Sequence, residues 1–125
     1  MYLNRLDELE EKSKIYIYGA GTHGYCLYQS VKFYRPDITV LGFLDSYKSG
    51  ELSTIPIYSI DKFSNSQNIY NYILIATNPN YWDGIRDILK NNNIKNYLYN
   101  TFYDFDIYGN KKLNKFDSFK KHVSS

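Results

Sequence analysis

The sequence predicts an α/β fold, a small doubly wound parallel sheet with flanking N- and C-terminal helices. Short runs rich in β-branched and aromatic residues alternate with amphipathic helical patterns, as in consecutive βαβ units. The first run leads directly into a Gly-x-Gly-x-x-Gly turn at residues 19–24, called the glycine turn below. A nearly continuous apolar run at residues 38–44 is typical of a parallel strand covered on both faces.

The N-terminal segment, residues 1–13, places Leu3, Leu6 and Leu9 at three-residue spacing among charged residues. This spacing predicts a short amphipathic helix. Residues 14–18 then predict the first strand, because they are rich in strand-forming residues and end at the glycine turn.

The first long helix is expected at residues 22–34. Pro36 limits its length, because the residue before a proline is disfavoured in the helical conformation. The second strand covers residues 38–44 and ends at Asp45. Residues 55–58 predict a short strand of the edge type, because Pro56 lacks a backbone N–H.

One helical turn is expected at residues 59–63 and a buried fourth strand at residues 72–76. Asn78 and Pro79 then predict an N-cap followed by proline at the first helical position. The apolar stripe of that helix consists of Trp82, Ile85, Ile88 and Leu89. A last strand at residues 94–99 completes a Rossmann-like sheet of about five strands in the order 3-2-1-4-5.

The domain itself is therefore expected at residues 14–100, followed by a C-terminal extension at residues 101–125. Four apolar residues predict a short closing helix in this extension: Leu113, Phe116, Phe119 and Val123. The alternative is that the extension is a linker to a partner domain.

Composition excludes several classes of function. The net charge of +2 over 125 residues is too small for a nucleic-acid reader, which carries a concentrated basic stripe. Cys26 is the only cysteine, so we expect no internal disulfide and no metal cluster, and we place it on a helix as a half-buried residue. The chain has no signal-peptide pattern and no apolar run of membrane-spanning length, which predicts a cytoplasmic protein.

Each glycine of the turn has an expected task. Gly19 allows the tight turn, Gly21 lets the backbone approach a pyrophosphate, and Gly24 lets the helix lie close to the sheet. The N–H groups near Thr22 then favour an anion. Asp45 ends the second strand, where the ribose-binding acid of such domains lies, although its distance from Gly19 slightly exceeds the usual interval of about 20 residues.

Three further polar residues are expected at the same rim. His23 either contacts the ligand or faces solvent. Thr77 and Asn78 either contact the ribose or base or, for Asn78, simply cap the following helix. The sequence has no paired carboxylates, catalytic triad or metal-ligand spacing, so we predict no catalytic residue and no metal site.

Residues 15–24, together with Leu-Gly-Phe-Leu-Asp at residues 41–45 and Ile-Pro-Ile-Tyr at residues 55–58, resemble a domain of bacterial surface-sugar enzymes. It is similar to the N-terminal domain of nucleotide-sugar acetyltransferases. It is also similar to the Rossmann-like, CoA-binding-like N-terminal domain of membrane-linked nucleotide-sugar dehydratases and epimerases. The resemblance covers about residues 14–100 and includes Ile-Ala-Thr-Asn at residues 75–78.

In the acetyltransferases this domain binds the UDP part of the sugar donor. The resemblance implies phosphate contacts for Gly21, Thr22, His23 and Gly24 and a nucleoside contact for Asp45. Gly21 stands where that family often has serine. The sequence lacks both the hexapeptide-repeat domain and the large dehydrogenase domain of these relatives, so we expect either a fragment or a free-standing binding module.

The function predicted is that of a nucleotide or nucleotide-sugar (UDP-type) binding domain in bacterial surface polysaccharide biosynthesis, without a complete active site. One alternative is the NAD(P)-binding domain of a small oxidoreductase or dehydratase, which would require a substrate domain as well. The other is a structural docking module whose turn is empty. Expected partners are a nucleotide-type small molecule and either a catalytic domain or a second copy, with neither nucleic acid nor a membrane span.

Overall fold

The structure, a computed structural model, describes residues 1–64 and 69–102. It is an α/β Rossmann-like fold with one sheet between two helical layers. The strands are β1 (Tyr2–Leu3), β2 (Lys14–Tyr18), β3 (Thr39–Leu44), β4 (Gly50–Leu52), β5 (Ile55–Tyr58), β6 (Tyr72–Ile75) and β7 (Tyr97–Asn100). The α-helices are α1 (Thr22–Tyr34), α2 (Ile60–Ser64) and α3 (Trp82–Asn91), with 3-10 turns at Leu6–Glu8 and Pro79–Tyr81.

The strand order in the sheet is β1-β7-β6-β2-β3-β5-β4. Its five central strands are the predicted ones, and they lie in the predicted order 3-2-1-4-5. All of these neighbours pair in parallel, whereas β4 pairs antiparallel with β5. The predicted count of five was too low, because β1 and β4 have only two and three residues and leave no periodic pattern in the sequence. Since β4 pairs with β5, the expectation that β5 is an edge strand was also wrong.

The amphipathic helix predicted for the N-terminal segment is absent from the structure. Leu3, Leu6 and Leu9 are buried as expected, but Leu3 lies in β1, which pairs with β7, and Leu6 begins a 3-10 turn. The guanidinium group of Arg35 donates to the carbonyl oxygens of Leu6 at 2.7 Å and Leu9 at 3.0 Å. These tertiary hydrogen bonds and the edge of β7 satisfy backbone groups that would otherwise favour a helix. Strand β1 is therefore part of the same sheet as the predicted strands.

The pleat of β2 divides the core into two layers. Ile15 and Ile17 point into the layer that contains α1, and Tyr16 and Tyr18 point into the layer that contains α2 and α3. All four side chains are at most 3% exposed. Both faces of the central strand are therefore covered, as expected for a doubly wound sheet.

The structure also describes residues on which the predictions for the end of α1, for Cys26 and for membrane spans rest. Helix α1 ends at Tyr34, two residues before Pro36, and Cys26 on this helix is fully buried rather than half-buried. No helix in residues 1–64 or 69–102 is long and apolar enough to cross a membrane. The helix predicted in the C-terminal extension lies outside the described residues.

Candidate functional site

A cleft of about 550 Å³ opens where β2, β3 and β6 end. Ligands of open α/β sheets bind at this edge, at the point where the strand order reverses. The structure brings seven of the eight predicted site residues together in the cleft lining: Gly19, Gly21, Thr22, His23, Asp45, Thr77 and Asn78. Gly24 is buried beneath the turn, so its position is structural.

Two glycines of the turn are required by the fold. Gly19 has a φ of +112°, and a Cβ there would lie 2.7 Å from the carbonyl oxygen of Ala76 and 2.9 Å from Cγ2 of Thr77. A Cβ on Gly24 would overlap the carbonyl oxygen of Gly19 and lie 2.8 Å from its carbonyl carbon. The turn, the end of β6 and the start of α1 are therefore packed so closely that neither position accepts a side chain.

Gly21, between them, is different. Its φ of −98° is outside the left-handed region that favours glycine. A Cβ at this position would meet only Nζ of Lys48, at 3.7 Å. The packing of the domain therefore has room for a side chain at Gly21.

Asp45 connects the glycine turn to the loop that follows β3. Its Oδ2 accepts the backbone N–H of Ala20 at 2.8 Å, and its Oδ1 accepts those of Tyr47 at 2.8 Å and Lys48 at 2.9 Å. Burial alone would raise the pKa of Asp45, but these three donors and the nearby Lys48 ammonium lower it below its ordinary value. The carboxylate is therefore ionised at neutral pH and fixes the shape of the cleft.

Lys48 is a site residue that sequence reasoning missed. Its Nζ lies 3.4 Å from the carbonyl oxygen of Ala20 and faces the open side of Gly21. In the sequence it is one charged residue in a polar loop, and only its spacing of three residues from Asp45 points to it. The Asp45 hydrogen bonds to this loop place the ammonium over the turn.

His23 is the second residue of α1, and its half-buried imidazole lines the cleft. Burial lowers the pKa of His23 below its usual value, so the neutral form predominates at pH 7. The structure thus places His23 at the rim of the cleft, as the sequence predicts, while its contact with a ligand remains a prediction.

Asn78 and Thr77 lie on the opposite rim from Asp45. Oδ1 of Asn78 accepts the backbone N–H of Asn80 at 2.9 Å, so this side chain caps the turn that leads into α3. The hydroxyl of Thr77 lies 3.3 Å from the carbonyl oxygen of Asn78. The capping alternative is thus realised for Asn78, and Thr77 supplies a hydroxyl beside the glycine turn.

The part of the cleft formed by Tyr81 and α3 was also missed. Tyr81, Gly84, Ile85 and Ile88 line it, with a half-buried Ile88 and a Tyr81 ring that is 66% exposed. The isoleucines were assigned from the sequence only to the packing stripe of a helix. Their additional exposure to the cleft depends on how α3 is placed relative to the sheet.

The base of the cleft contains a buried phenol. The hydroxyls of Tyr18 and Ser46 share a hydrogen bond of 2.8 Å. Burial raises the pKa of Tyr18 more than this hydrogen bond lowers it. The phenol therefore stays protonated at neutral pH and, like Asp45, holds the loop after β3 in place.

No protein-family model and no curated protein matches the chain. Among solved structures it is similar to RSP, a Rex-family repressor, with a TM-score of 0.58 and 14% identity over 89% of this chain and 63% of that chain. It is also similar to the DAP dehydrogenase of C. glutamicum, solved in complex with DAP, with a TM-score of 0.51 and 14% identity over 78% of this chain and 30% of that chain. The chain thus spans less than two thirds of either protein, and at this identity the likeness establishes a Rossmann-like fold.

Proposed function

We propose that this domain binds a nucleotide through a diphosphate held at the glycine turn. Gly21 carries the proposal. Its φ is outside the left-handed region that favours glycine, and a Cβ would meet nothing closer than Lys48 Nζ at 3.7 Å. A glycine that the fold does not require is explained by a ligand that approaches the backbone, and a pyrophosphate is the ligand that does so at this position of the motif.

The electrostatics of the turn support an anion. Gly21 is the N-cap of α1, and within the described residues no side chain caps this helix end and its first turn contains no acidic residue. The N–H groups and the positive end of the helix dipole therefore face the cleft. Lys48 adds a positive charge beside Gly21, part of which the nearby Asp45 carboxylate offsets, and both the ammonium and the helix end would attract a diphosphate.

The nucleoside would lie on the Asp45 side of the turn. A carboxylate has about four acceptor positions, and three backbone N–H groups already use Asp45. One position remains for a ribose hydroxyl. Tyr47, whose side chain is 97% exposed beside Asp45, offers a ring on which a base can stack.

Two ligand classes satisfy these requirements. The resemblance to surface-sugar enzymes favours a UDP-sugar and a place in polysaccharide biosynthesis, in a domain without a complete active site. The Rossmann-like fold with Asp45 at the end of its second central strand favours NAD. Both share the nucleoside diphosphate, which is the part that the glycine turn is proposed to hold.

The direct test is titration calorimetry with ADP and UDP on the full chain and on Gly21→Ala. Because a Cβ at Gly21 fits the fold but would stand where a phosphate approaches the backbone, we expect a nearly unchanged melting temperature and at least a tenfold loss of ADP affinity. Equal affinity for ADP in the two proteins would refute contact between a phosphate and the Gly21 backbone, on which the proposal rests.

A second test concerns the charge of Lys48. A hydrogen bond to a charged group is worth about 1.5–3 kcal/mol, so Lys48→Ala should weaken ADP binding by about tenfold or more and reduce its dependence on salt. Lys14→Ala is the matched control, because this exposed lysine starts β2 at the opposite end of the sheet. Equal losses in both variants would indicate a general effect of net charge and remove Lys48 from the site.

A further inference from the structure

We propose that the cleft continues into a neutral compartment that takes a planar, uncharged ring joined beyond the diphosphate, so that the ligand is a dinucleotide rather than a nucleotide sugar. The neutral compartment consists of Thr77, Tyr81, Gly84, Ile85 and Ile88. The inference rests on the proposed function and adds the chemical class of the ligand's second half.

Gly84 is the first observation. It is the third residue of α3, where a glycine lowers helix stability relative to alanine. A Cβ on Gly84 would meet no heavy atom within 4 Å, so the fold does not require the glycine. As at Gly21, its backbone borders the cleft, and a ligand atom that approaches the helix closely would explain the missing side chain.

The second observation is the absence of charge on this side of the cleft. Among the described residues that line the whole cleft, the aspartate and lysine side chains are those of Asp45 and Lys48. Both lie on the β3 side. The charged residues of α3 nearest to Gly84 pair with one another, since Arg86 lies 3.3 Å from Asp83 and 3.6 Å from Asp87. Within the part of the chain that the structure describes, the lining of the neutral compartment therefore contributes no ionised side chain.

The lining chemistry favours a flat ring over a sugar. A hexose carries several hydroxyls, and each loses its hydrogen bonds to water unless a protein group replaces them. Ile85 and Ile88 have no such groups, whereas they can contact the apolar face of a ring, and the exposed phenol of Tyr81 can stack on it.

The position of the neutral compartment fits a group that follows a second phosphate. Thr77 borders the turn directly, because a Cβ on Gly19 would lie 2.9 Å from its Cγ2. The whole cleft, at about 550 Å³, is within the range of about 300–1,000 Å³ that small-molecule sites occupy. It therefore extends past the diphosphate position in the direction of α3.

The experiment measures the affinities of ADP, ADP-ribose and NADH, whose dihydronicotinamide ring is uncharged, for the full chain by titration calorimetry, with UDP and UDP-glucose as a parallel pair. We expect NADH to bind at least tenfold more tightly than ADP-ribose and UDP-glucose to bind no more tightly than UDP. In Gly84→Leu, whose side chain would enter the neutral compartment, NADH should fall to the affinity of ADP-ribose while ADP changes less than twofold. Gly84→Ala, with a smaller side chain, should lose part of the NADH advantage and keep the fold.

Each other outcome has a distinct meaning. If ADP binds but NADH and ADP-ribose bind equally, the neutral compartment is refuted and the proposed function stands. A UDP-glucose affinity above that of UDP, lost in Gly84→Leu, would assign the compartment to a sugar and also refute the inference. If no nucleotide binds to the folded protein, both proposals are wrong.

Discussion

Gly24 and Gly84 occupy the same place in two helices, the third residue of α1 and of α3, yet their surroundings are opposite. A Cβ on Gly24 would overlap the backbone of Gly19, whereas a Cβ on Gly84 would reach nothing within 4 Å. Helix α1 is thus packed against the glycine turn, while α3 leaves open space at the cleft. A glycine at the third position of a helix therefore allows close packing in α1, whereas in α3 it leaves room for a ligand.

The largest effect that tests this comparison is expected from Gly24→Ala. Its methyl group would collide with main-chain atoms that cannot rotate away, so α1 must shift from the sheet and the free energy of unfolding should fall by about 3 kcal/mol or more. Urea unfolding followed by circular dichroism measures the change. Wild-type stability in this variant would show that α1 is not held against the turn as described.

The C-terminal end of α1 gives a second test of how closely this helix is held, because Arg35 connects it to the N-terminal segment. Arg35→Ala removes two hydrogen bonds to the carbonyl oxygens of Leu6 and Leu9 and the ion pair with Asp37, whose carboxylate accepts from Nε at 3.0 Å. We expect a loss of about 2 kcal/mol in the free energy of unfolding, since hydrogen bonds to charged groups are worth about 1.5–3 kcal/mol. Arg35→Lys keeps the charge without the forked donors and should recover less than half, and full recovery would contradict the assigned geometry.

Gly84→Ala should change stability in the opposite direction from Gly24→Ala. Alanine in a helix interior is favoured over glycine by about 0.5–1 kcal/mol, and the open surroundings of Gly84 add no opposing contact. The melting temperature should therefore rise by a few degrees. A lower melting temperature would mean that α3 packs more closely at this residue than the comparison states.

The smallest effect concerns pH and His23, next to Gly24 on the packed helix. Because burial lowers the pKa of His23 in the folded protein, the unfolded chain binds protons more readily. The stability associated with neutral His23 is complete above about pH 6.5 and is lost as the pH falls below that value. Unfolding measured at pH 8 and pH 5 should show a smaller loss in His23→Gln than in the wild type, and an equal loss would assign the pH dependence to other groups.

The sequence predicted the elements that depend on local pattern. Strand β2, the glycine turn and α1 follow one another within residues 14–34, and Asn78 with Pro79 predicted a cap that the structure contains. The N-terminal segment was predicted wrongly because its partners are distant, with Arg35 bonded to Leu6 across 29 positions of the chain. Three-residue spacing of leucines cannot distinguish a helix from a strand followed by a 3-10 turn.

The candidate site was predictable where strands β2, β3 and β6 end, but not at Lys48 or along α3. A motif identified the glycine turn, and the end of a buried strand identified Asp45. Lys48 and Gly84 belong to no motif, because their positions at the cleft arise from a folded loop and from the placement of α3. Side chains brought to a site by tertiary packing alone leave no short-range pattern.

The pairing of β1 with β7 also bears on how the chain is made. Met1 and Leu3 accept hydrogen bonds from Tyr99 at 2.9 Å and Thr101 at 3.0 Å, so β1 can pair only after β7, at the other end of the described residues, has been made. Closing so long a loop is slow, because its entropic cost comes before any contact is gained. Until then the edge of β7 is open to strands of other chains, and β1 protects it once it docks. The pairing of β1 thus forms late, and it leaves a strand of two residues at this edge of the sheet in place of the four-residue β7.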